Sequence, residues 1–454
     1  MKHVRGWSFA VLTLALVASA CSSGRKADVT AGSSTTAAPA ATATSFGTMD
    51  SPCGKGDAAG ATDQGVTDAA IKIGYGDDAG FASSPGLNHE MSDAVKAFVG
   101  WCNEQGGING RQLDATYYDA KITEVNNVIT EACAKEFFLV GQGFSLDSSQ
   151  EVARRGCGLP SVPAFAVSPQ HANGPLKFEP LPVPGDYTVI SHGKELADLY
   201  PDSIKHAGVI YANYPATIDS KDKVVPGFTS LGYQFNCEVQ YSITGEPDWK
   251  PFAQKLKECG AEMVYYVGTP NPNFENLLEA AAQLDYHPVW WGDPNAYDQA
   301  FAKWNKDGFG DKVYFRSAFT PLEEAKDNVA TQQYIDIVTA SGGDLGLLGQ
   351  QAASAFLLWA TAAKACGADL TRDCVVKELK GIHDWDAGGF QAPADPGNNT
   401  PTECGVLIKM TGTTFERVFP KKANTFDCDP SYAYKVSGEV VTRAKIGADR
   451  IAQL

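Results

Sequence analysis

The chain has 454 residues, of which 44% are hydrophobic and 20% are charged, and its formal net charge is −16. This composition is typical of a globular protein, and the length is sufficient for two or three domains. A surface this acidic is a poor match for a phosphate backbone, so we expect no nucleic-acid partner.

The N-terminal segment has the features of a secretory signal. A basic start is followed by an apolar run over residues 9–17 and by small residues before Cys21. That run is too short for a permanent membrane span. Because the sequence Ala-Ser-Ala-Cys at 18–21 resembles a bacterial lipobox, we predict a signal peptide over residues 1–20 and an extracytoplasmic protein that a lipid on Cys21 anchors to the cell membrane. Secretion without a lipid is the alternative.

Residues 21–64 are rich in Ser, Thr, Ala, Gly and Pro and contain few large apolar side chains. A segment of this composition cannot bury a core of its own. We therefore predict a flexible tether between the lipid anchor and the folded body.

Residues 70–118 predict the first structural unit. Alternating apolar residues over 71–75 indicate a strand, and after a glycine-rich loop the apolar residues return with helical spacing over 87–101. Gly106-Gly107 is a typical helix end, and residues 113–118 alternate as a second strand. This strand, helix and strand imply a parallel sheet, whose ligand crevice lies at the carboxyl ends of the strands.

The alternation of strands and helices continues, and it restarts after a Pro- and Gly-rich stretch at residues 175–185. Further strands are predicted at 138–141, 158–165, 207–211, 234–241, 263–267, 287–291 and 313–319. Further helices are predicted at 122–137, 147–155, 187–199, 221–231, 249–258, 274–284 and 299–305. We therefore predict an α/β fold of two doubly wound lobes.

The C-terminal third predicts helices without intervening strands, and then two short strands. The helices are predicted at 323–339, 347–364 and 371–379, and the strands at 405–410 and 414–419. Such helices must cover a sheet that already exists, so the chain returns to the first lobe and finishes on the second. The predicted lobes are residues 65–184 plus 320–385 and residues 185–319 plus 386–441, with a tail at 442–454. Repeated crossing makes a hinge, and two facing crevices make a clamp.

Ten cysteines remain besides Cys21, an even number in a chain that leaves the cytosol. They predict five disulfides, although counting alone does not fix the pairing, and exchange between any two pairs is the alternative. The local pairs are Cys53–Cys102, Cys133–Cys157, Cys237–Cys259, Cys366–Cys374 and Cys404–Cys428. No CxxC pair occurs and the seven histidines are scattered, so we expect no metal site.

The sequence contains none of the GxSxG, HExxH, P-loop or GxGxxG motifs of common enzymes and nucleotide sites. Ser145 follows a predicted strand, but no motif places a His or an acid to activate it. We therefore predict that the protein is not an enzyme and needs no cofactor.

Three predicted loops converge at the carboxyl ends of the first sheet. Exposed N–H groups at a strand end, together with a hydroxyl group, make an anion site. A loop serine is also commonly a helix cap or a turn former, and Ser145 or Asp147 is placed to cap the next helix. The candidate ligand-binding residues of these loops are Ser83, Ser84, Phe144, Ser145, Ala166 and Ser168.

The second lobe presents its own strand-end residues to the crevice. Tyr214 and the Trp290-Trp291 pair are placed to close an apolar lid, although aromatics at strand ends are as often part of the core. Asp293 is placed to meet an ammonium group, although an Asp before Pro also starts turns. The candidate ligand-binding residues of this lobe are Tyr214, Thr269, Asn271 and Asp293.

Residues 102–111, with the sequence CNEQGGINGR, are similar to the NxxGGINGR signature of the type I periplasmic binding proteins of the branched-chain amino acid family. These proteins are the substrate receptors of ABC importers. Residues 65–74 match the usual opening strand of that family, and the resemblance extends in order and spacing from Val66 to Phe419. It implies a receptor of two lobes, joined by three crossovers, whose hinge closes on a ligand.

The resemblance also implies roles for individual residues. In the amino-acid binders of the family, the ligand carboxylate meets a Ser after the third strand and main chain plus hydroxyl after the fourth, which correspond to Ser145 and residues 166–168 here. A Tyr at the start of the second lobe corresponds to Tyr214. The family has a further aromatic near Thr269 and an acid near Pro294, and this chain has neither at those positions. These departures weaken the match to an α-amino acid and leave a carboxylate, an amide or an aromatic acid open.

Together, these features and the resemblance imply a monomeric solute-binding lipoprotein that captures an amino acid, an amide or a related carboxylate and delivers it to an ABC permease in the membrane. A ligand that contacts both lobes binds the closed state better and shifts the hinge toward it. The alternative is a ligand-sensing receptor subunit that signals through a membrane partner.

Overall fold

The computed structural model describes residues 44–454. The predicted signal peptide and Cys21 lie outside this range. Within it, no helix combines the length and the apolar character that a membrane span requires.

The first lobe is built on a four-stranded parallel sheet in the order β4-β3-β5-β6. The strands are β3 Ala70–Asp77, β4 Gln112–Asp119, β5 Phe138–Val140 and β6 Ser161–Val162, and a small N-terminal hairpin supplies β1 Ser45–Phe46 and β2 Met49–Asp50. The helices are α1 His89–Gln105, α2 Val125–Lys135, α3 Glu151–Gly156 and α4 Pro169–Ala172. The strand and helix alternation read from the sequence is therefore present in this lobe.

Helix α1 shows how the sequence directs the packing. Met91, Val95 and Phe98 recur at helical spacing and are fully buried. The helix ends at Gly106, whose φ of 112° is a left-handed conformation that favours glycine, and its N–H bonds the carbonyls of Cys102 and Asn103. This end turns the chain directly into β4.

The second lobe is built on an eight-stranded sheet in the order β14-β13-β12-β11-β10-β8-β9, with β15 paired to β13. Its strands are β8 Ala207–Ala212, β9 Phe235–Tyr241, β10 Met263–Val267, β11 Val289–Gly292, β12 Val313–Ser317, β13 Cys404–Thr411, β14 Thr414–Phe419 and β15 Asp427–Cys428. The helices between these strands are α6 Pro215–Ser230, α7 Lys250–Glu258, α8 Glu275–Gln283 and α9 Gln299–Trp304. β8 to β12 pair in parallel, whereas β13 and β14 add antiparallel strands at one edge.

The chain crosses between the sheets more than once. After α4 it forms β7 Tyr187–Val189, which pairs with β16 Ala433–Lys435, and α5 Ser191–Leu199 then leads into the second sheet. After β12 it returns to α1 through α10 Val329–Ala340, α11 Leu347–Ala365 and α12 Arg372–Lys380, and α11 lies along α1. β13 and β14 then complete the second sheet, and α13 Glu439–Ala444 lies near the end of the chain. This confirms the predicted two-lobed α/β fold.

Among the predicted elements that differ from the structure, three have a clear physical reason. Residues 187–199 were predicted as one helix, but β7 occupies 187–189 because these residues pair with β16. Residues 323–339 are divided into a short 3₁₀ helix, Leu322–Asp327, and α10, which Asn328 caps. Helix α6 begins at Pro215, six residues before the predicted start, because proline is well suited to the first turn of a helix.

The tether prediction is wrong for residues 44–64, which pack on the first lobe. Phe46 is fully buried and its ring contacts Phe98, Trp101 and Phe390. A disulfide joins Cys53 to Cys102 of α1. One large aromatic side chain and one covalent bond thus fix a segment whose overall composition is that of a linker.

The structure contains the five disulfides in the predicted local pairing. They are Cys53–Cys102, Cys133–Cys157, Cys237–Cys259, Cys366–Cys374 and Cys404–Cys428. Each bond joins elements within one lobe or its edge, so none of them blocks movement between the two sheets.

The predicted aromatic lid is wrong for Trp290 and Trp291. Their side chains lie in two different core clusters and are 3% and 0% exposed. Successive residues of a strand point to opposite faces, and helices cover both faces of this sheet. Both tryptophans therefore belong to the core.

Candidate functional site

A cavity of about 270 Å³ lies between the two lobes, at the carboxyl ends of both sets of strands. The first lobe contributes the loops after β5 and β6, and the second lobe contributes the loops after β8, β10 and β11 together with α6. Five of the predicted ligand-binding residues line it, namely Ser145, Ala166, Tyr214, Thr269 and Asp293. The sequence therefore located the crevice.

The other five predicted residues do not line the cavity. The Ser84 hydroxyl donates a hydrogen bond to the carbonyl of Asn271 at 2.8 Å, which joins the loop after β3 to the loop after β10. Ser168 caps α4 by accepting a bond from the N–H of His171 at 3.2 Å. Phe144 is buried in the core of the first lobe, and Ser83 is half-buried.

The first-lobe wall of the cavity, formed by Ser145, Ala166 and Val167, does not present free N–H groups. The N–H of Ser145 donates to Oδ2 of Asp78 at 2.7 Å, and the N–H of Val167 donates to Oδ2 of Asp147 at 2.7 Å.

The remaining amides of that stretch are bonded in the same way. The N–H of Ser168 donates to Oδ1 of Asp147 at 3.0 Å, and the N–H of Ala166 donates to Oε1 of Glu179 at 3.2 Å. The anion site predicted from exposed N–H groups is therefore wrong for these four residues, because carboxylates of the protein already occupy them.

Asp147 illustrates the electrostatics of this wall. Its side chain is 1% exposed, and burial raises the pKa of the Asp147 carboxyl to about 7, although the hydrogen bonds from Val167 and Ser168 act in the opposite direction. Asp147 does not cap the following helix, as the sequence had allowed, because its oxygens bond to the loop after β6 instead. This acid links two strand-end loops and fixes the shape of the first-lobe wall.

In the second-lobe wall, formed by Tyr214, Lys223 and Asp293, the polar side chains make fewer hydrogen bonds to the protein. Lys223 extends from α6 and is only 5% exposed, yet its ammonium makes a single hydrogen bond, to the carbonyl of Val183 at 3.5 Å. Within residues 44–454, no carboxylate oxygen lies within 4.0 Å of its Nζ atom. Burial lowers the pKa of Lys223.

Tyr214 and Asp293 complete this wall. The Tyr214 hydroxyl is buried and has no hydrogen-bond partner among the residues that the structure describes. Oδ1 of Asp293 accepts a bond from the hydroxyl of Tyr265 at 2.5 Å. Burial raises the pKa of Asp293 to about 6, while Tyr265 and the charge of Lys223 act to lower it.

The cavity extends past Lys223 to His192 and Arg316. The Arg316 guanidinium donates to the carbonyl of Cys404 and to Oγ of Ser191, the latter at 3.3 Å. Burial and the charge of Arg316 lower the pKa of His192 to about 3, so its imidazole is neutral at physiological pH. This end of the cavity holds one cation that is bonded through two of its five N–H groups and one neutral ring.

Most of the remaining lining is apolar. The side chains from both lobes include Leu87, Ile122, Phe165, Val183, Val224 and Leu348. An apolar lining with a few polar groups is typical of a site for a small organic ligand.

The sequence did not reveal the position of Lys223 at the cavity. It also did not reveal that Asp78, Asp147 and Glu179 bond the backbone amides of the first-lobe wall. Lys223 stands in the stretch DSKDKVV, whose charges are typical of an exposed helix face. Pro215, which begins α6, was a signal that this helix starts close to the end of the strand predicted at 207–211. Asp147 accepts a bond from an amide 20 positions away, and Glu179 accepts one from an amide 13 positions away. No local sequence pattern reveals such contacts.

A comparison with protein families matches residues 70–414 to the family described as periplasmic binding protein. The chain belongs to the periplasmic binding protein family. A comparison with curated proteins finds no match. As a family member, the chain is a solute-binding protein of type I architecture, which agrees with the signature at residues 102–111.

Solved structures of similar fold include substrate-binding proteins of ABC transporters. The isoleucine complex of LivJ from Streptococcus pneumoniae is 17% identical and has a TM-score of 0.60, with 77% of this chain and 99% of that chain covered. A fatty acid ABC transporter substrate-binding protein from Thermomonospora curvata is 15% identical with a TM-score of 0.66, covering 88% and 100%. A benzoate complex of a solute-binding protein from R. palustris is 15% identical with a TM-score of 0.63, covering 82% and 99%.

Proposed function

We propose that this periplasmic binding protein captures a small amphipathic molecule, such as an amino acid, an amide or a related carboxylate, and delivers it to an ABC permease. The observation that carries the proposal is the cavity between the lobes, to which the strand ends of both sheets contribute side chains. Proteins of the same fold include an isoleucine complex, a substrate-binding protein of a fatty acid ABC transporter and a benzoate complex, so the fold is compatible with all three classes of ligand.

The proposed mechanism is closure of two lobes around the ligand. We assign residues 65–184 plus 320–385 to the first lobe and residues 185–319 plus 386–441 to the second. A ligand in the cavity touches both lobes, so it binds the closed state better than the open one and shifts the population toward it. The bond from Ser84 to the carbonyl of Asn271 links the two sides only when they are close together, and it adds to the stability of the closed state.

We also propose that a signal peptide over residues 1–20 directs export and that a lipid on Cys21 anchors the protein. The lipobox-like sequence before Cys21 and the presence of five disulfides support an extracytoplasmic location. Mass spectrometry of the N-terminal peptide tests the anchor, because a lipidated Cys21 adds the mass of its acyl chains and a plain secreted chain does not.

The experiment that tests ligand capture is a binding screen on the full chain, produced in an oxidising compartment. Thermal shift and titration calorimetry against amino acids, amides, aromatic acids and short-chain acids should give one class that raises the melting temperature. We expect Tyr214→Ala to weaken binding of that class about tenfold, because it removes a ring that covers the ligand.

A matched pair of serines provides the control. Ser145→Ala, at the cavity, should weaken binding measurably, whereas Ser83→Ala, in a loop that does not line the cavity, should leave the affinity unchanged. If no class of compound shifts a well-folded sample, the proposal of solute capture fails.

A further inference from the structure

The buried ammonium of Lys223 lacks the partners that such a group requires. An ammonium has three donors, and a buried charge is normally paired or fully hydrogen-bonded. Among the residues that the structure describes, Lys223 has one bond at 3.5 Å and no carboxylate within 4.0 Å, at 5% exposure. The contrast with Lys177 is direct, because that buried lysine donates to Glu179 at 3.3 Å and to Asn399 at 2.8 Å.

The acids around Lys223 already have other donors. Asp219 pairs with Arg443, and Glu179 accepts bonds from Lys177 and from two backbone amides. Asp147 accepts from two backbone amides, and Asp293 accepts from Tyr265. These four acids are the charged groups that act on Lys223 from the elements around it, and all of them favour its charged form.

The other anion-binding groups at the cavity are bonded in full or in part. The N–H groups of the first-lobe wall bond to Asp78, Asp147 and Glu179, and the Arg316 guanidinium uses two of its five N–H groups, for Cys404 and Ser191. Within the part of the chain that the structure describes, Lys223 is thus the less bonded of the two cations that line the cavity, and its donors are left for a ligand.

We propose that Lys223 binds the carboxylate of the ligand, so that the ligand is an apolar monocarboxylic acid whose acid group faces the second lobe. This rests on the proposed function as a solute-binding protein. The orientation differs from the one that the family resemblance implied, in which the loops after β5 and β6 hold the carboxylate. The apolar lining from Leu87, Ile122 and Phe165 then receives the body of the molecule.

The cavity volume limits the size of this body. An engineered apolar cavity of about 150 Å³ holds benzene. At about 270 Å³, the cavity here has room for an aromatic acid or a short branched or linear aliphatic acid. Asp293, the acid of the second-lobe wall, accepts one bond from Tyr265 through Oδ1 and keeps Oδ2, so the apolar lining, and not a lack of acceptors, is what favours a ligand without an α-ammonium group.

The test compares acids with their neutral amides. Titration calorimetry on the full chain should use benzoate with benzamide, hexanoate with hexanamide, and 4-methylpentanoate with leucine. We expect at least one acid to bind, its amide to bind at least 30-fold more weakly, and leucine to bind more weakly than 4-methylpentanoate. Amides that bind as well as the acids, or leucine that binds more tightly than 4-methylpentanoate, would overturn the assignment.

Variants of Lys223 connect this preference to the side chain. Lys223→Met keeps the length and removes the charge, so it should lower the affinity for the acid at least 30-fold and bring acid and amide to equal affinity. Lys223→Arg should retain the preference for the acid. Lys221→Met, on the same helix but bonded to Asp222 and Glu238 away from the cavity, should change neither affinity.

The outcomes separate the two proposals. If the wild type, folded by circular dichroism, binds none of these compounds but binds another compound of the broader screen, the assignment of an acid to Lys223 is wrong and solute capture stands. If it binds nothing in either set, solute capture itself fails. If the wild type binds an acid and Lys223→Met binds it equally well, only the assignment of Lys223 is wrong. Because removal of an under-bonded buried charge should not lower the melting temperature, a folded Lys223→Met protein is expected.

Discussion

The two walls of the cavity differ in how completely their polar groups are bonded. In the first-lobe wall, each backbone amide from Ala166 to Ser168 and that of Ser145 bonds to a carboxylate of the protein. In the second-lobe wall, Lys223 makes one long bond and the Tyr214 hydroxyl makes none. The amides of the first wall are thus all bonded within the protein, whereas the second wall keeps polar groups with few or no partners among residues 44–454. The two walls of one interlobe cavity can therefore differ in the groups that they offer to a ligand.

The strongest test of this comparison removes a carboxylate from the first-lobe wall. We expect Asp147→Ala to lower the free energy of unfolding by about 3 kcal/mol, because it leaves the buried amides of Val167 and Ser168 without an acceptor. Urea unfolding measures this change. Asp114→Ala, at an exposed position of the same lobe, is the control and should change stability little. An equal effect of both changes would mean that Asp147 does not hold the wall.

A second test uses the pH dependence of the second-lobe wall. Burial raises the pKa of Asp293 to about 6 from its ordinary 3.8, so the folded protein holds this proton more tightly than the unfolded chain. Asp293 therefore contributes stability that is fully present below about pH 4 and is lost as the pH rises through 6.

Asp293→Asn should remove this dependence. Without ligand, the variant should be as stable as the wild type at pH 4 and more stable by about 2 kcal/mol at pH 7.5, as measured by urea unfolding. Asp248→Asn, at an exposed position of the same lobe, should follow the wild type at both pH values. A variant that is no more stable at pH 7.5 would contradict the raised pKa.

The smallest expected effect concerns the contact that joins the two sides. Ser84→Ala removes the bond to the carbonyl of Asn271, which costs about 1 kcal/mol of closed-state stability and therefore about a fivefold loss of ligand affinity. The melting temperature without ligand should stay within about 1 °C of the wild type if the free protein is open. Ser83→Ala, one residue earlier, is the matched control, and small-angle scattering with saturating ligand should report a less closed average for Ser84→Ala alone.

The fold and the position of the cavity were predictable because they follow from local periodicity. Alternating strand and helix patterns placed Ser145, Ala166, Tyr214, Thr269 and Asp293 at strand ends, and all five line the cavity. The five local cysteine pairs suggested by the sequence are also the pairs in the structure, although the sequence left exchange between pairs open.

The chemistry of the walls was not predictable, since it depends on contacts between distant segments. Asp78 bonds the amide of Ser145, 67 residues further along the chain. Lys223 belongs to a charged stretch that is typical of an exposed helix face. Its side chain is nevertheless buried, because it points into the cavity and contacts the distant residue Val183. The packing of Phe46 likewise depends on Phe390, 344 positions away, so composition alone predicted a linker there.

The N-terminal segment at residues 44–64 has a mechanical consequence. Cys53 is covalently joined to α1, the carbonyl of Ser51 bonds the Lys364 ammonium at 2.8 Å, and Phe46 sits among aromatic rings next to the same helix. A pulling force that enters from the N-terminal side is thus borne by the first lobe through a covalent staple. The contacts of Phe46 with Phe98, Trp101 and Phe390 are noncovalent, so the Cys53–Cys102 bond is the one covalent path for such a force within residues 44–64.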